Sequence, residues 1–398
     1  MSSTSTTPSV DEAGHAGARP HSHGPGSPVP VQTRSDRFAS AVHGDFADVT
    51  GRELEWRLTP VAAVRDLIDD ELDGSPFPAV VSEADGVTTE WIDRTDARIG
   101  TAGLAEERAA ANAWSRFEEA LSVTLTAEEP VVVTIDRAGA DSTPRAAHTI
   151  ITAKPNARGL VIIDNRGSTR LSENVEVVAE AGSDLTVVSL QEWDDESVHL
   201  SSQFGRVDRD ARLKHVVVSL GGSVVRVNPS VHLSGAGADG QLLGLYFADA
   251  GQHLEQRVYV HHIAPHTISR VNYKGALNGQ GARTVWVGDV LIGRDATGTD
   301  SYEQNRNLVL SDGTRADSIP NLEIETGDIA GAGHASATGR FDDEQLFYLR
   351  SRGIDEQEAR RLVVQGFLID VVQKIGNAEL EARLVAAIER ELEAVEVV

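Results

Sequence analysis

The chain of 398 residues contains no cysteine, and its single methionine is Met1. Disulfides, thiolate nucleophiles and thiolate metal ligands are therefore excluded within it. No uninterrupted apolar run reaches the roughly 18 residues of a spanning helix. The amino-terminal stretch lacks a charged start followed by an apolar segment, so a cytoplasmic protein is expected. Positive charge is scarce: 36 Lys and Arg stand against 61 Asp and Glu, a formal net charge of −25. That balance disfavours nucleic acid, whose phosphates demand Lys and Arg, and anionic lipid surfaces. The strings G-x-x-x-x-G-K-[ST], H-E-x-x-H and G-x-S-x-G are all missing. The chain therefore has no P-loop, no zincin helix and no nucleophile elbow of its own.

What is present divides into four stretches. Residues 1–33 hold 19 Ser, Thr, Pro or Gly, too little apolar surface to offset chain entropy, and read as a disordered tail. The pair His21 and His23 within it reads as solvated rather than metal-binding. Residues 34–120 read as a small helical domain. Ser35 is a candidate N-cap ahead of Phe38, Val42 and Phe46, Pro60 opens VAAVRDLIDDEL, and LAEERAAANAWSRFEEAL completes the set. From about Leu121 to Arg340 the period changes to two. VTLTA, VVVTI, LVIID, VEVVAE, LTVVSL, HVVVSL, VVRVN and TVWVGDVLI are β-branched runs separated by Gly-rich turns. A stretch of that length without helix favours a β-solenoid over a sandwich.

After Arg340 the period becomes 3.6 and stays so to the end, giving a three-helix appendix over residues 341–398. Gly353 closes its first helix. Asp355 with Glu358 forms a capping-box pattern for the second, whose buried stripe is read as Ala359, Leu362, Val363, Gly366 and Phe367. Gly376 and Asn377 separate a last helix with Leu380, Leu384, Ala387, Ile388 and Leu392 on one face.

Several motifs carry possible chemistry. GAGADG at 235–240 formally matches a dinucleotide fingerprint, but the strand-like QLLGLYF follows it, so it reads as a turn. His253, His261, His262 and His266 lie close together, yet adjacent strand residues point to opposite faces, so His261 and His262 cannot share a site. His334 stands at the end of the β region in a Gly/Ala-rich setting. Glu323, Glu325 and Asp328 are nearby in sequence and offer it a mixed N/O environment suited to Fe(II) or Zn(II). Asp289, Asp295, Asp300 and Glu303 are candidate carboxylates for a solenoid enzyme acting on acidic polysaccharide, the alternative reading.

Glu53 to Thr59 (ELEWRLT), His262 to Gly275 (HIAPHTISRVNYKG), VWVGDVLI, SYEQNRNLVLSDGTRADSIPNLEI and GRFDDEQLFYLRSRGI together resemble the SufB/SufD family of iron–sulfur cluster assembly proteins. The resemblance runs from about residue 35 to the end, is strongest over 255–375, and lies with the SufD branch. It implies a right-handed parallel β-helix core flanked by helical amino- and carboxy-terminal domains, and a scaffold rather than an enzyme. It implies a heterodimer with a SufB homologue and docking of the ATPase SufC on the helical domain 341–398. Phe347, Tyr348, Arg350, Arg352 and Phe367 are then partner-binding candidates. A cysteine desulfurase system is implied as a further partner, acting through SufB. His334 falls on the functional histidine of that branch, a candidate iron or cluster contact at the seam with SufB. The Cys common two residues earlier is Ala332, and the usual Lys three residues earlier is Gly331. With no thiolate to contribute, the chain is expected to hold no stable cofactor alone, and to meet a nascent cluster or Fe(II) only in the complex.

Overall fold

The computed structural model describes residues 37–340 and 343–394. The tail with His21 and His23, and the Ser35 cap, lie outside the described residues.

Alternating side chains decide the architecture. In the strand Asp184–Trp193 (β6) Leu185 and Val187 point inward, while Val188 and Leu190 point outward; both sets are apolar and buried. A strand apolar on both faces must be covered on both, and a solenoid achieves this by winding. The ladder Asp184–Arg212–Asp239–Ile268–Asp300 is parallel throughout, so each coil takes roughly 30 residues, a usual length for stacked repeats. The result is a parallel β-solenoid of about 8 turns.

The strands fall on two walls. Two long bent strands, Val131–Ala153 (β4) and Arg158–Ala179 (β5), pair along both of their halves. The first half of β5 pairs with β6 and the second with Val198–Val207 (β7). From there one wall runs β6, Arg212–Ser219 (β8), Asp239–Ala248 (β10), Ile268–Leu277 (β12), Thr299–Val309 (β14) and Ile329–Arg340 (β16). The other runs β7, Val224–Leu233 (β9), His253–His262 (β11), Arg283–Ile292 (β13) and Arg315–Ile324 (β15). The amino-terminal end is capped by Ala79–Val81 (β1) antiparallel to β4 and by Val87–Asp93 (β2) antiparallel to Glu119–Leu125 (β3). The turn around Gly237, with φ +73°, is a corner between β9 and β10, as read for GAGADG.

The YKG string shows how the lumen is filled. Tyr273 and Tyr246 both point inward and are fully buried. A Cβ on Gly244 would fall 2.1 Å from the Tyr273 ring, and one on Gly275 would fall 1.9 Å from the Tyr246 ring. Each tyrosine thus occupies the space that a glycine in the neighbouring coil vacates. Lys274, between them, points outward instead.

The helices expected in the amino-terminal region are shorter than their sequence suggests. Among the described residues of this region, only Arg65–Asp69 (α1) and Arg108–Arg116 (α2) are α-helical, with single 3-10 turns at His43–Asp45 and Val61–Ala63. Side-chain attachments account for the difference. Asn112 Nδ2 donates to the carbonyls of Leu67 and Asp70 at 3.1 and 3.0 Å, taking up the exit of α1. Glu107 is extended before α2, and its carboxylate meets Arg226 at 2.6 Å. Trp56 of the ELEWRLT string is buried with the Arg226 guanidinium 4.0 Å above its ring, and Thr59 Oγ1 donates to Glu255 at 2.8 Å. The string is thus a clasp holding the segment to the β9/β11 wall.

The carboxy-terminal helices are Asp343–Ser351 (α3), Glu356–Val372 (α4) and Ala378–Ala394 (α5), and α4 and α5 cover the other wall. Gly353 follows α3 with φ +88°, and the Asp355 side chain accepts from the Glu358 amide at 3.1 Å. The α5 stripe of Leu380, Leu384, Ala387, Ile388 and Leu392 is buried as expected. The α4 stripe is not. Apart from Ala359, the buried residues are Val364, Leu368, Val371 and Val372, whereas Leu362 is exposed. The wall residues Val216, Val218, Leu243, Leu245 and Phe247 take up that rotated face.

Candidate functional site

β15 and β16 end the two walls, so among the described residues each has one edge with no neighbouring strand. β16 is a run of small residues, IAGAGHASATGR, that leaves this edge open. Parallel pairing places Glu303 of β14 opposite His334 of β16, and Ser301 opposite Ala332. In-register neighbours lie about 4.8 Å apart along the stack, which brings their side chains together. His334 Nδ1 is 3.8 Å from Glu303 Oε1. The histidine side chain is 45% exposed and the glutamate 1%.

Glu303 is unusual for its position. The inward residues beside it on β14 are neutral: Ser301, Asn305 and Asn307. Asn305 and Asn307 bond to one another, to Tyr246 Oη and to Ser318. Neither Glu303 oxygen has a hydrogen bond in good geometry. A Cβ on Gly288 would fall 2.3 Å from the Trp286 ring and 2.4 Å from Oε2, so this glycine makes room for both the indole and the carboxylate. Burial pushes the Glu303 carboxyl up to about 8; the Asp289 carboxylate adds to the rise and the Asn321 main chain offsets part of it.

The acids expected near His334 are elsewhere. Glu323 stands opposite Leu291 on β15, and Glu325 and Asp328 are exposed in the turn that follows. The residue that does meet His334 precedes it by one coil, a relationship visible only once the coil length is known. Asp289, Asp295, Asp300 and Glu303 do not share a cleft. Asp289 pairs with Arg37 at 2.8 Å, Asp300 with Arg270 at 2.5 Å, Asp295 lies in a turn, and Glu303 points into the lumen. The polysaccharide-enzyme alternative is therefore not favoured.

The histidine cluster is dispersed too. His262 is buried and bonded to Thr267 Oγ1 at 2.7 Å and Ser269 Oγ at 2.9 Å, both ring nitrogens occupied. His261 faces the opposite side, 5.6 Å from the His232 ring. His253 meets Glu255 at 3.1 Å, and His266 is exposed in a turn. Among the described residues no three His, Asp or Glu side chains converge as a metal site. His334 and Glu303 make a pair only, a borderline nitrogen and a hard oxygen whose chemistry suits Fe(II) or Zn(II) once other donors are added.

The candidate partner-binding residues lie on the helices that follow β16 in the chain. Phe347 and Tyr348 of α3 are 74% and 56% exposed. Arg350 pairs with Glu356 at 3.0 Å, and the Arg352 guanidinium lies 5.1 Å from the Tyr348 ring. Phe367 is partly buried: its carbonyl accepts from Lys274 Nζ at 3.0 Å, and its ring lies 4.8 Å from that ammonium. Phe367 thus joins α4 to the wall.

Among the described residues no helix is long and apolar enough to cross a membrane. The family profile described as "SUF system FeS cluster assembly, SufBD core domain" matches residues 135–367. An iron-sulfur cluster assembly SufBD family protein of Mycobacterium tuberculosis is 49% identical over 377 residues, covering 92% of this chain and 95% of its own length. One from Mycobacterium leprae is 48% identical over 377 residues, covering 92% and 96%. A second, longer M. leprae protein of the same family is 29% identical over 201 residues, covering 50% of this chain and 23% of its own length. A matching core profile and near-full-length relatives meet on this solenoid: the chain belongs to the SufBD family of iron–sulfur cluster assembly proteins.

Proposed function

We propose that this chain is the SufD-type scaffold subunit of a cytoplasmic Suf assembly complex, without catalytic activity of its own. In this reading it pairs through β15 and β16 with a SufB-type partner, which supplies the thiolates and receives sulfur from a cysteine desulfurase system. It docks a SufC-type ATPase on the exposed face of α3, around Phe347 and Tyr348. ATP hydrolysis by that partner moves the carboxy-terminal helices, which transmit the motion through Lys274 and Phe367 to the solenoid wall. The opening seam admits Fe(II) and sulfide beside His334.

The observation that carries this reading is the half-exposed His334 on the unpaired edge strand of a chain with no cysteine. A cluster is ordinarily held by three or four thiolates, so a cysteine-free member of the family must work beside a chain that has them. Unpaired strand edges are ready templates for a second chain. The two M. leprae relatives, one matching this chain throughout and one longer and matching half of it, fit a division into unlike subunits.

Co-expression of the full chain with a tagged SufB-type and a SufC-type protein from the same genome tests the reading. A single complex containing all three polypeptides is expected, with a reconstituted cluster in the complex and none on the isolated chain. A stoichiometric cluster on the isolated chain, or a chain that co-purifies with neither protein, would refute it.

A further inference from the structure

On the seam reading Fe(II) meets His334, and this cysteine-free chain brings no sulfur ligand to it. Its second donor is therefore sought among nitrogen and oxygen groups that face His334. Glu303 is the one the ladder brings opposite. It is 1% exposed, its oxygens lack good hydrogen bonds, and the inward residues beside it on the strand are neutral. An isolated carboxyl in such a place costs several kcal/mol, and as a structural element an amide or hydroxyl would serve the lumen better. Gly288 leaves room for it and for the neighbouring Trp286 ring.

We propose that Glu303 is the oxygen ligand of a two-residue half-site, with His334 as its nitrogen ligand, that takes a divalent first-row cation, Fe(II) being the cargo. The proposal rests on the seam reading above and names the second donor. The observed 3.8 Å between Nδ1 and Oε1 is a few tenths of an ångström wider than two donors each about 2.1 Å from one tetrahedral ion. The exposed imidazole closes that difference by a small ring rotation. Binding is ligand exchange without redox: the ion stays divalent, and two of its waters leave as the Glu303 carboxylate and the His334 imidazole take their places. The remaining positions on the ion face the open edge, where a partner's thiolates or sulfide can enter. A carboxylate and an imidazole hold Fe(II) without driving it toward a finished cluster, the property wanted of a loading site.

The test is anaerobic equilibrium dialysis of the full-length chain against Fe(II), with Co(II) absorption as a spectroscopic readout. About one ion per chain is expected, with nitrogen–oxygen ligand-field bands. Glu303→Gln should weaken binding by at least about tenfold while its thermal midpoint stays equal or rises, since it removes a buried carboxyl whose oxygens lack good hydrogen bonds. His334→Ala should weaken binding comparably, and the double variant little further, because the two act on one ion. Wild-type affinity in Glu303→Gln, or no saturable binding by the wild-type chain, overturns the proposal. Assembly with the SufB-type partner is scored separately. A Glu303→Gln chain that joins the complex but binds no Fe(II) supports both readings. A wild-type chain that binds Fe(II) but never joins the complex rejects the seam reading alone.

Discussion

Lys274 Nζ lies 2.8 Å from Asp370 Oδ2, and the pair ties the solenoid wall to α4. The same ammonium donates to the Phe367 carbonyl at 3.0 Å. The hydrogen bond from Lys274 holds the Asp370 carboxyl below its ordinary value. The lysine comes from the YKG string and the aspartate from α4, so residues far apart in sequence meet at a joint between wall and helix. Lys274→Met should cost about 2 kcal/mol, the value of a charged hydrogen bond to a partly buried group. It should also increase protease cleavage within 343–394 while leaving the solenoid resistant. Cleavage kinetics unchanged from wild type would show that the joint is not what fastens α4.

The tyrosine–glycine exchange in the lumen makes a sharp mutational contrast. A Cβ on Gly275 would fall 1.9 Å from the Tyr246 ring, whose hydroxyl is fixed by Asn307 and Asn305. Gly275→Ala should therefore cost about 3 kcal/mol or more by overpacking. Gly366, within α4, has nothing within 4 Å of the position an added methyl would take. Gly366→Ala should gain about 1 kcal/mol from helix propensity. Denaturant midpoints for both variants check the pair. A Gly275→Ala midpoint equal to wild type would mean that the tyrosine is free to move aside.

The buried imidazoles should lose their contribution to stability in mild acid. His215 is buried, its Nε2 bonded to Gln203 Oε1 at 2.7 Å, and burial pushes its imidazole down to about 4. A base whose folded value is depressed is neutral in the fold and protonated more readily when unfolded. Its contribution is therefore complete above about pH 6.5 and is lost as pH falls from there to about 4, up to about 3 kcal/mol. His261, pushed down to about 4 by burial and by His232, adds in the same window. Glu173 acts lower. Burial raises it, but Arg137 at 2.8 Å and His199 at 2.9 Å more than offset this and hold it ionised, so its contribution is lost only below about pH 4.5. Carboxyls raised by burial, Glu303 among them, work in the opposite sense over the same range, so the readout is a difference: the gap between the urea midpoints of wild type and His215→Gln should narrow from pH 7.5 to 4.5. A gap that does not change with pH would show that the His215 imidazole is not held neutral.

Much of the fold is legible in sequence, and the exceptions have physical causes. The switch from period two to period 3.6 after Arg340 locates the end of β16, and the α5 stripe is correct residue by residue. The α4 stripe fails because that helix is apolar on nearly every side: Leu362, Val363, Val364, Phe367, Leu368, Ile369 and Val371 leave periodicity no face to choose. Local pattern overextends the helices around α1 and α2 because Asn112, Glu107 and Arg226, remote in sequence, set where they end. His334 is recognisable from its setting and from resemblance. Glu303 stands out only as one of several carboxylates, since its partnership with His334 depends on coil register, which no local pattern carries.

The proposed ATPase-docking face can be tested without dismantling the fold. Truncating at 355 would strip α4 and α5 from Leu243, Leu245 and Phe247 and expose a buried wall, so loss of binding in such a truncation would be ambiguous. Phe347 and Tyr348 are exposed on α3. The Phe347→Ala/Tyr348→Ala double variant should fold normally, with its thermal midpoint unchanged, and lose co-purification of the SufC-type protein. Undiminished recovery of that partner would place its docking surface elsewhere on the chain.

The central claim is that His334 handles metal at the seam, and complementation of a strain lacking this gene tests it most directly. His334→Ala, assayed alongside pull-down of the whole complex, should leave the complex intact and abolish growth under conditions that require this assembly system. His262→Ala should grow better than His334→Ala, because its ring is bonded to Thr267 and Ser269 inside the lumen. Normal growth of the His334→Ala strain with an intact complex would contradict the account, and loss of the complex itself would make His334 a structural residue.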